Sequence, residues 1–267
     1  MNEVAVDYPV EGVCLITLSR PEALNAFTFP MYEAFIAALE GLRFRNDVRV
    51  VVITGAGRGF CAGHDLGAGA TPPWAQEGVG KAQAARAFMA RVGNIPVLMR
   101  SLPQPVIAAV NGSTAGLGYS IALAAEICIA ARSAKFVNAF HNVGIGHELG
   151  FSYMLPRAVG AQRAAELMLT GRAVLAEEAA AIGLALKVVD DESLLDEVLA
   201  LAGRIMVNCP IGIELTKQSM WLNADAGSLA AAIELENRAV FMSQTTEDMA
   251  EKRKSVVEKR QPVFRHR

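Results

Sequence analysis

The sequence predicts an α/β chain built on parallel sheet, with a C-terminal part made of helices alone. Three observations point there. Residues 48–54, apolar apart from Arg49 and Thr54, and residues 106–110 are apolar runs, the pattern of strands buried on both faces. Each run leads into a glycine-rich segment and then a stretch of helical period, and repeated strand-then-helix units imply parallel pairing with helices outside. Beyond residue 190 the period is helical throughout, with no strand-like run among residues 194–207, 211–222, 228–243 and 247–259.

Taken in order, residues 4–8 and 13–18 read as a hairpin turning at Glu11-Gly12. Residues 30–42 carry Met31, Phe35, Ala38, Leu39 and Leu42 at helical spacing, with Thr28 as a candidate cap. The strand at 48–54 is followed by residues 67–80, rich in Gly, Ala and Pro and expected to be a mobile loop. A helix is expected over 82–100, then strand, helix and strand through Ala130. A boundary is expected near residue 195, giving a core over 1–195 and a helical region over 196–267.

Composition narrows the function classes. The 267 residues are 52% hydrophobic and 19% charged, and mean hydropathy is +0.30. Surface buried between subunits is the simplest account of so apolar a chain. A net charge of −2 gives no electrostatic case for nucleic acid or an anionic membrane. Cys14, Cys61, Cys128 and Cys209 form neither a ligand pair nor a disulfide framework. No basic-then-apolar leader is visible, and the apolar stretch at 121–131 is short and interrupted by Glu126. A cytoplasmic protein is expected, with no metal or redox cofactor.

The chemistry lies in the two glycine-rich segments, Gly59-Phe60-Cys61-Ala62-Gly63-His64-Asp65-Leu66 and Asn111-Gly112-Ser113-Thr114-Ala115-Gly116-Leu117-Gly118. A strand that ends in glycines and feeds a helix leaves free backbone N–H groups. Two such turns facing each other can hold one carbonyl oxygen between two donors. These segments resemble the enoyl-CoA hydratase/isomerase (crotonase) superfamily. So do Ile16-Thr17-Leu18-Ser19-Arg20-Pro21-Glu22-Ala23-Leu24-Asn25-Ala26, Leu155-Pro156-Arg157-Ala158-Val159-Gly160, Leu169-Thr170-Gly171-Arg172, Ala176-Glu177-Glu178-Ala179 and Gly183-Leu184. The blocks occur in family order along nearly the whole chain. The resemblance implies a crotonase (ClpP-like) spiral of ββα turns, followed by helices that pack against other subunits in a homotrimer or a dimer of trimers. It also implies an acyl-CoA substrate, with coenzyme A as part of that substrate.

Carried over by position, the resemblance assigns the oxyanion donors to the N–H groups of His64 and Leu117, beside Gly116. It puts Arg20, Ala23, Ala26, Ala62 and Asp65 along the coenzyme A path. The two glutamates of the family's hydratases fall at Ser120 and Phe140, neither of which supplies a carboxylate for hydration. Both positions should still line the substrate site. Glu126 lies one and a half helical turns past Ser120 and reads as a structural or surface residue. Glu148 falls where the dienoyl-CoA isomerase and 4-chlorobenzoyl-CoA dehalogenase branches place a catalytic aspartate. It also fits the first turn of a helix, where the macrodipole favours an acid without any catalytic role.

The histidines carry alternatives too. His64 could place its imidazole by the pocket as a proton shuttle or point into the following loop. His147 is expected on the opposite side of the turn from Glu148, and His141 is expected to cap or pack. A Ser120–His64 pairing lacks a third acid. The expectation is an acyl-CoA enzyme that stabilises a thioester enolate and favours double-bond isomerisation over hydration. The other readings are a binding or scaffold protein without catalysis, and hydrolysis or substitution using Glu148.

Overall fold

The computed structural model describes residues 3–68 and 78–267. The chain opens with strands β1 (Val4–Val10) and β2 (Val13–Leu18), paired antiparallel around Glu11-Gly12 as expected. Helix α1 (Phe29–Leu42) follows, and Thr28 caps it by accepting from the Met31 N–H at 3.2 Å. Then come β3 (Val50–Gly55), β4 (Gly59–Cys61), α2 (Lys81–Val92), α3 (Ile95–Ser101), β5 (Val106–Val110), β6 (Ser113–Ala115) and α4 (Leu117–Ala124). A third turn supplies β7 (Ile127–Ala131), β8 (Lys135–Val137), α5 (Phe151–Val159) and α6 (Ala161–Thr170). Strand β9 (Ala173–Leu175), α7 (Ala176–Ala181) and β10 (Lys187–Val189) complete the strand-bearing part. The remainder is α8 (Leu194–Met206), α9 (Pro210–Asn223), α10 (Leu229–Gln244) and α11 (Glu247–Glu258).

Each ββα turn gives one strand to each of two sheets. The six-stranded sheet runs β1-β2-β3-β5-β7-β10, and the four-stranded sheet runs β4-β6-β8-β9. All neighbours are parallel except the first pair of the large sheet and the last pair of the small one. Alternation along β3 and β5 explains the apolar runs. Val51, Ile53, Val106 and Ala108 enter one core with α1 and α4. Val50, Val52, Ile107 and Ala109 enter a second core, covered by Leu194, Val198 and Ala202 of α8. Both faces of the sheet are dry, so both sets of positions are apolar.

The sequence-based expectations need correction in places. The helix expected over 82–100 is two helices, because Gly93 and Asn94 interrupt it and Pro96 starts the second, lacking an N–H for the preceding turn. The boundary expected near residue 195 falls inside α8, which packs on the sheet; α9, α10 and α11 follow outside that second core. The loop expected at 67–80 lies largely outside the described residues, which resume at Gly78. Among the described residues no single helix is long and apolar enough to cross a membrane.

Candidate active site

Two backbone turns meet in the middle of the molecule. Gly63 follows β4 with φ of +101°, and Gly116 caps α4 with φ of +52°, conformations that side chains with a Cβ rarely adopt. A Cβ built on Gly63 would stand 3.2 Å from the Ala115 carbonyl oxygen and 3.8 Å from the Cα of Gly116. The residues after these glycines are His64 and Leu117. Phe27 donates its N–H to the Gly63 carbonyl at 2.7 Å, and Phe27's carbonyl accepts from Asp65 at 3.0 Å. Successive amides of an extended chain point to opposite edges, so the His64 N–H turns away from Phe27. Leu117 is the first residue of α4, where no helical acceptor exists for its N–H. Neither N–H has a partner among the described residues.

These turns form one end of a cavity of about 320 Å³. Tyr32 of α1, Phe88 of α2, Ala62, Leu66, Ala139, Phe140, Asn142, Val143, Ile145 and Glu148 line it with Gly63, His64, Gly116 and Leu117. Its walls are apolar apart from the side chains of Tyr32, His64, Asn142 and Glu148. Glu148 is half-buried, and burial raises its pKa above the ordinary glutamate value. Its carboxylate has no hydrogen-bond or ion-pair partner among the described residues. It does not open a helix: α5 begins three residues later at Phe151, behind a left-handed Gly150. The macrodipole explanation for an acid at this position is thereby weakened.

His64 faces the cavity. Its ring packs among Phe29, Tyr32 and Phe88, with centroids 5.7 to 5.9 Å away, and it lines the cavity. Burial lowers its pKa, partly countered by Asp65, and favours the neutral imidazole. Its Nδ1 is buried without a hydrogen-bond partner. His147 is directed elsewhere, as expected: it stacks on Phe151 at 5.2 Å and lies 3.0 Å from Asn138 Nδ2. His141 packs edge-on against His147.

Of the residues expected to bind substrate, Ala62, Gly116 and Phe140 line the cavity. Ser120 does not. It is 0% exposed within α4, and its Oγ has no partner. Arg20 and Asp65 are held by protein groups rather than left open. Arg20 pairs with Glu3 at 3.1 Å and with Asp65 at 2.9 Å, and it donates to the Ala26 carbonyl. Together with Ala23 and Ala26 they lie outside the cavity lining and brace the loop beside it. Among the described residues no group of three or more His, Cys, Asp or Glu side chains is placed to hold a metal ion.

Sequence reasoning missed four residues. Tyr32 and Phe88 bring aromatic walls from two helices; Tyr32 lies three residues before Phe35, a spacing that marks a shared face. Asn25 donates to Ala56 and Gly59 carbonyls, and Asn111 donates to those of Gly57 and Gly59. Together these amides pin the first glycine-rich segment. The signal was available in the Asn-Gly pair at 111–112 and in the asparagine beside Leu24, both typical of turns.

Comparison with known proteins bears on this geometry. Residues 9–267 match the sequence profile of the family described as enoyl-CoA hydratase/isomerase. The chain belongs to that family. It is 43% identical over 263 residues to a probable enoyl-CoA hydratase of Mycobacterium tuberculosis H37Rv, covering 98% of this chain and 92% of that one. It is 37% identical over 266 residues to the 1,2-epoxyphenylacetyl-CoA isomerase of Escherichia coli K12, covering 99% of each. A crystal structure of a probable enoyl-CoA hydratase/isomerase from Mycobacterium abscessus matches with a TM-score of 0.91 and 40% identity, covering 98% of both chains. The fold is therefore the crotonase fold, and this family member is an enzyme acting on acyl-CoA.

Proposed function

We propose that this enzyme shifts a double bond within an acyl-CoA thioester and does not hydrate it. The thioester carbonyl oxygen sits between the N–H groups of His64 and Leu117. In its carboxylate form Glu148 removes a proton from one acyl carbon, and the electron pair moves onto the carbonyl oxygen as a dienolate. The carboxylic acid so formed returns the proton two carbons along, and the bond has moved with no net gain or loss of atoms. Developing negative charge at the oxygen is where preorganised N–H donors act most strongly.

The observation that carries this reading is that Glu148 is the one carboxylate lining the cavity among the described residues. Hydration uses two carboxylates in the family's hydratases, and the corresponding positions are the buried Ser120 and the ring of Phe140. Desolvation of Glu148 suits an acid–base group working nearer to neutral pH. The reading includes a trimer or dimer of trimers, supported by exposed apolar side chains on α9 and α10. It includes a reducing, cytoplasmic setting, supported by four free cysteines.

A spectroscopic screen of enoyl-, dienoyl- and aryl-CoA thioesters tests it. Double-bond migration without formation of a hydroxyacyl product is expected. Efficient hydration of a 2-enoyl-CoA would contradict the reading. Binding without turnover of any thioester would favour the scaffold alternative.

A further inference from the structure

The thioester and proton-relay chemistry leaves the phenol of Tyr32, one of the polar groups lining the cavity, without a task. Its ring is 2% exposed and fixed on several sides: by Phe27 at 5.0 Å, by Phe88 edge-on at 5.5 Å, and by His64 at 5.9 Å. Helix α1 holds it one turn beyond the Thr28 cap. The hydroxyl has no hydrogen-bond partner among the described residues. It is not one of the sealed polar atoms, in contrast to the hydroxyl of Tyr119, so its oxygen opens on the cavity that the residue lines. Cys61 and Glu148 both act on it electrostatically, and the His64 ring lies beside it. Burial holds the phenol far above its usual pKa, so it stays a hydrogen-bond donor.

A rigid donor in a mostly apolar pocket is unsatisfied when a hydrocarbon fills the space beside it, and such a group discriminates between ligands with and without an acceptor. The thioester oxygen already has two N–H donors, those of His64 and Leu117, and Tyr32 brings a third donor from a separate element, α1. We propose that Tyr32 donates a hydrogen bond to an oxygen carried by the acyl group itself, so that the cavity selects acyl-CoA thioesters bearing a hydroxyl, keto or epoxide oxygen over hydrocarbon counterparts. The inference rests on the acyl-CoA reading above.

Calorimetry with a series of saturated acyl-CoA thioesters of one chain length tests it, one unsubstituted and the others carrying a single hydroxyl at successive carbons. These compounds have no double bond to shift, so the readout is binding alone. At least one hydroxylated member should bind the wild type roughly tenfold more tightly than the unsubstituted thioester, the equivalent of one net hydrogen bond. In Tyr32→Phe that advantage should fall to about twofold or less, with affinity for the unsubstituted thioester unchanged and the same thermal midpoint. No preference in the wild type would overturn the proposal without reference to any variant. So would a preference equal in both proteins. Failure of every member to bind would overturn the acyl-CoA reading along with it, whereas tight binding with no dependence on Tyr32 would overturn this inference alone.

Discussion

Gly63 and Gly116 lie back to back, near enough that a Cβ on Gly63 would stand 3.8 Å from the Cα of Gly116. Both have positive φ, and each aims the amide of the residue after it. Replacing either glycine with valine should tilt one of those N–H groups. The expected result is a loss of about 10²–10³ in kcat with acyl-CoA affinity retained, the usual cost of one oxyanion donor. Steady-state kinetics beside calorimetry checks it, and unchanged turnover would place the donors elsewhere.

The burial of Glu148 fixes a pH dependence. In the proposed mechanism the carboxylate is the form that removes the proton, so activity should rise with pH through an apparent pKa above the ordinary glutamate value. Folding stability runs the other way. The folded chain holds this proton more tightly than the unfolded chain does, so stability is lost as pH rises from the ordinary glutamate pKa through the raised one. Glu148→Gln should remove that loss and melt at a higher temperature than wild type at neutral pH. Thermal scans over a pH series will show it, and a variant less stable than wild type at neutral pH would contradict the assignment.

Lys217 and Glu126 form a buried pair at 3.1 Å, with side chains 2% and 9% exposed. Lys217 also donates to the Met99 and Gln104 carbonyls, while Glu126 accepts from the Val106 N–H and from Trp221 Nε1. Helix α9 is thereby tied to the ends of α3, α4 and β5. Removing one charge leaves the other buried and unpaired, so Lys217→Met should cost about 3–5 kcal/mol. Denaturant titration measures this, and a cost below about 1 kcal/mol would mean that the pair is solvated in solution.

Leu229 and Phe241 on α10 are 77% and 70% exposed, with Ile233 and Met242 exposed nearby. Apolar surface of this kind on a helix outside the core is expected to be covered by other copies of the chain. Light scattering should give three or six times the 28.4 kDa of one chain. Leu229→Glu with Phe241→Glu should reduce that mass. A monomeric wild type at micromolar concentration would remove the oligomer from the account.

The ββα order, the hairpin, the α1 cap and the run of C-terminal helices were legible because each has a local cause, whether a period, a turn pair or a hydroxyl at a cap. The two glycine turns were legible for the same reason. The break at Gly93 was harder to see, because the apolar period resumes after Pro96 and hides it. Ser120 and Tyr32 exchanged places relative to expectation: the serine is sealed inside α4, and the tyrosine from a distant helix lines the cavity. Position along the chain cannot report that exchange, since the approach of α1 to Glu148 is a product of tertiary packing. Arg20 was placed by the resemblance along the coenzyme A path but was not legible as a brace, because its partners Glu3 and Asp65 are remote in sequence.

The central claim is that Glu148 moves the proton while the two N–H groups hold the thioester. Incubating the enzyme in deuterated water with an isomerisable enoyl-CoA, and following label at the acyl carbons by mass spectrometry and NMR, tests it most directly. Wild type should move the double bond and exchange at the two carbons that flank the shift. Glu148→Gln should bind the same thioester within about twofold and lose migration and exchange together, by at least the 10²–10⁴ expected of a general acid–base group. Migration and exchange at the wild-type rate in Glu148→Gln would contradict the account.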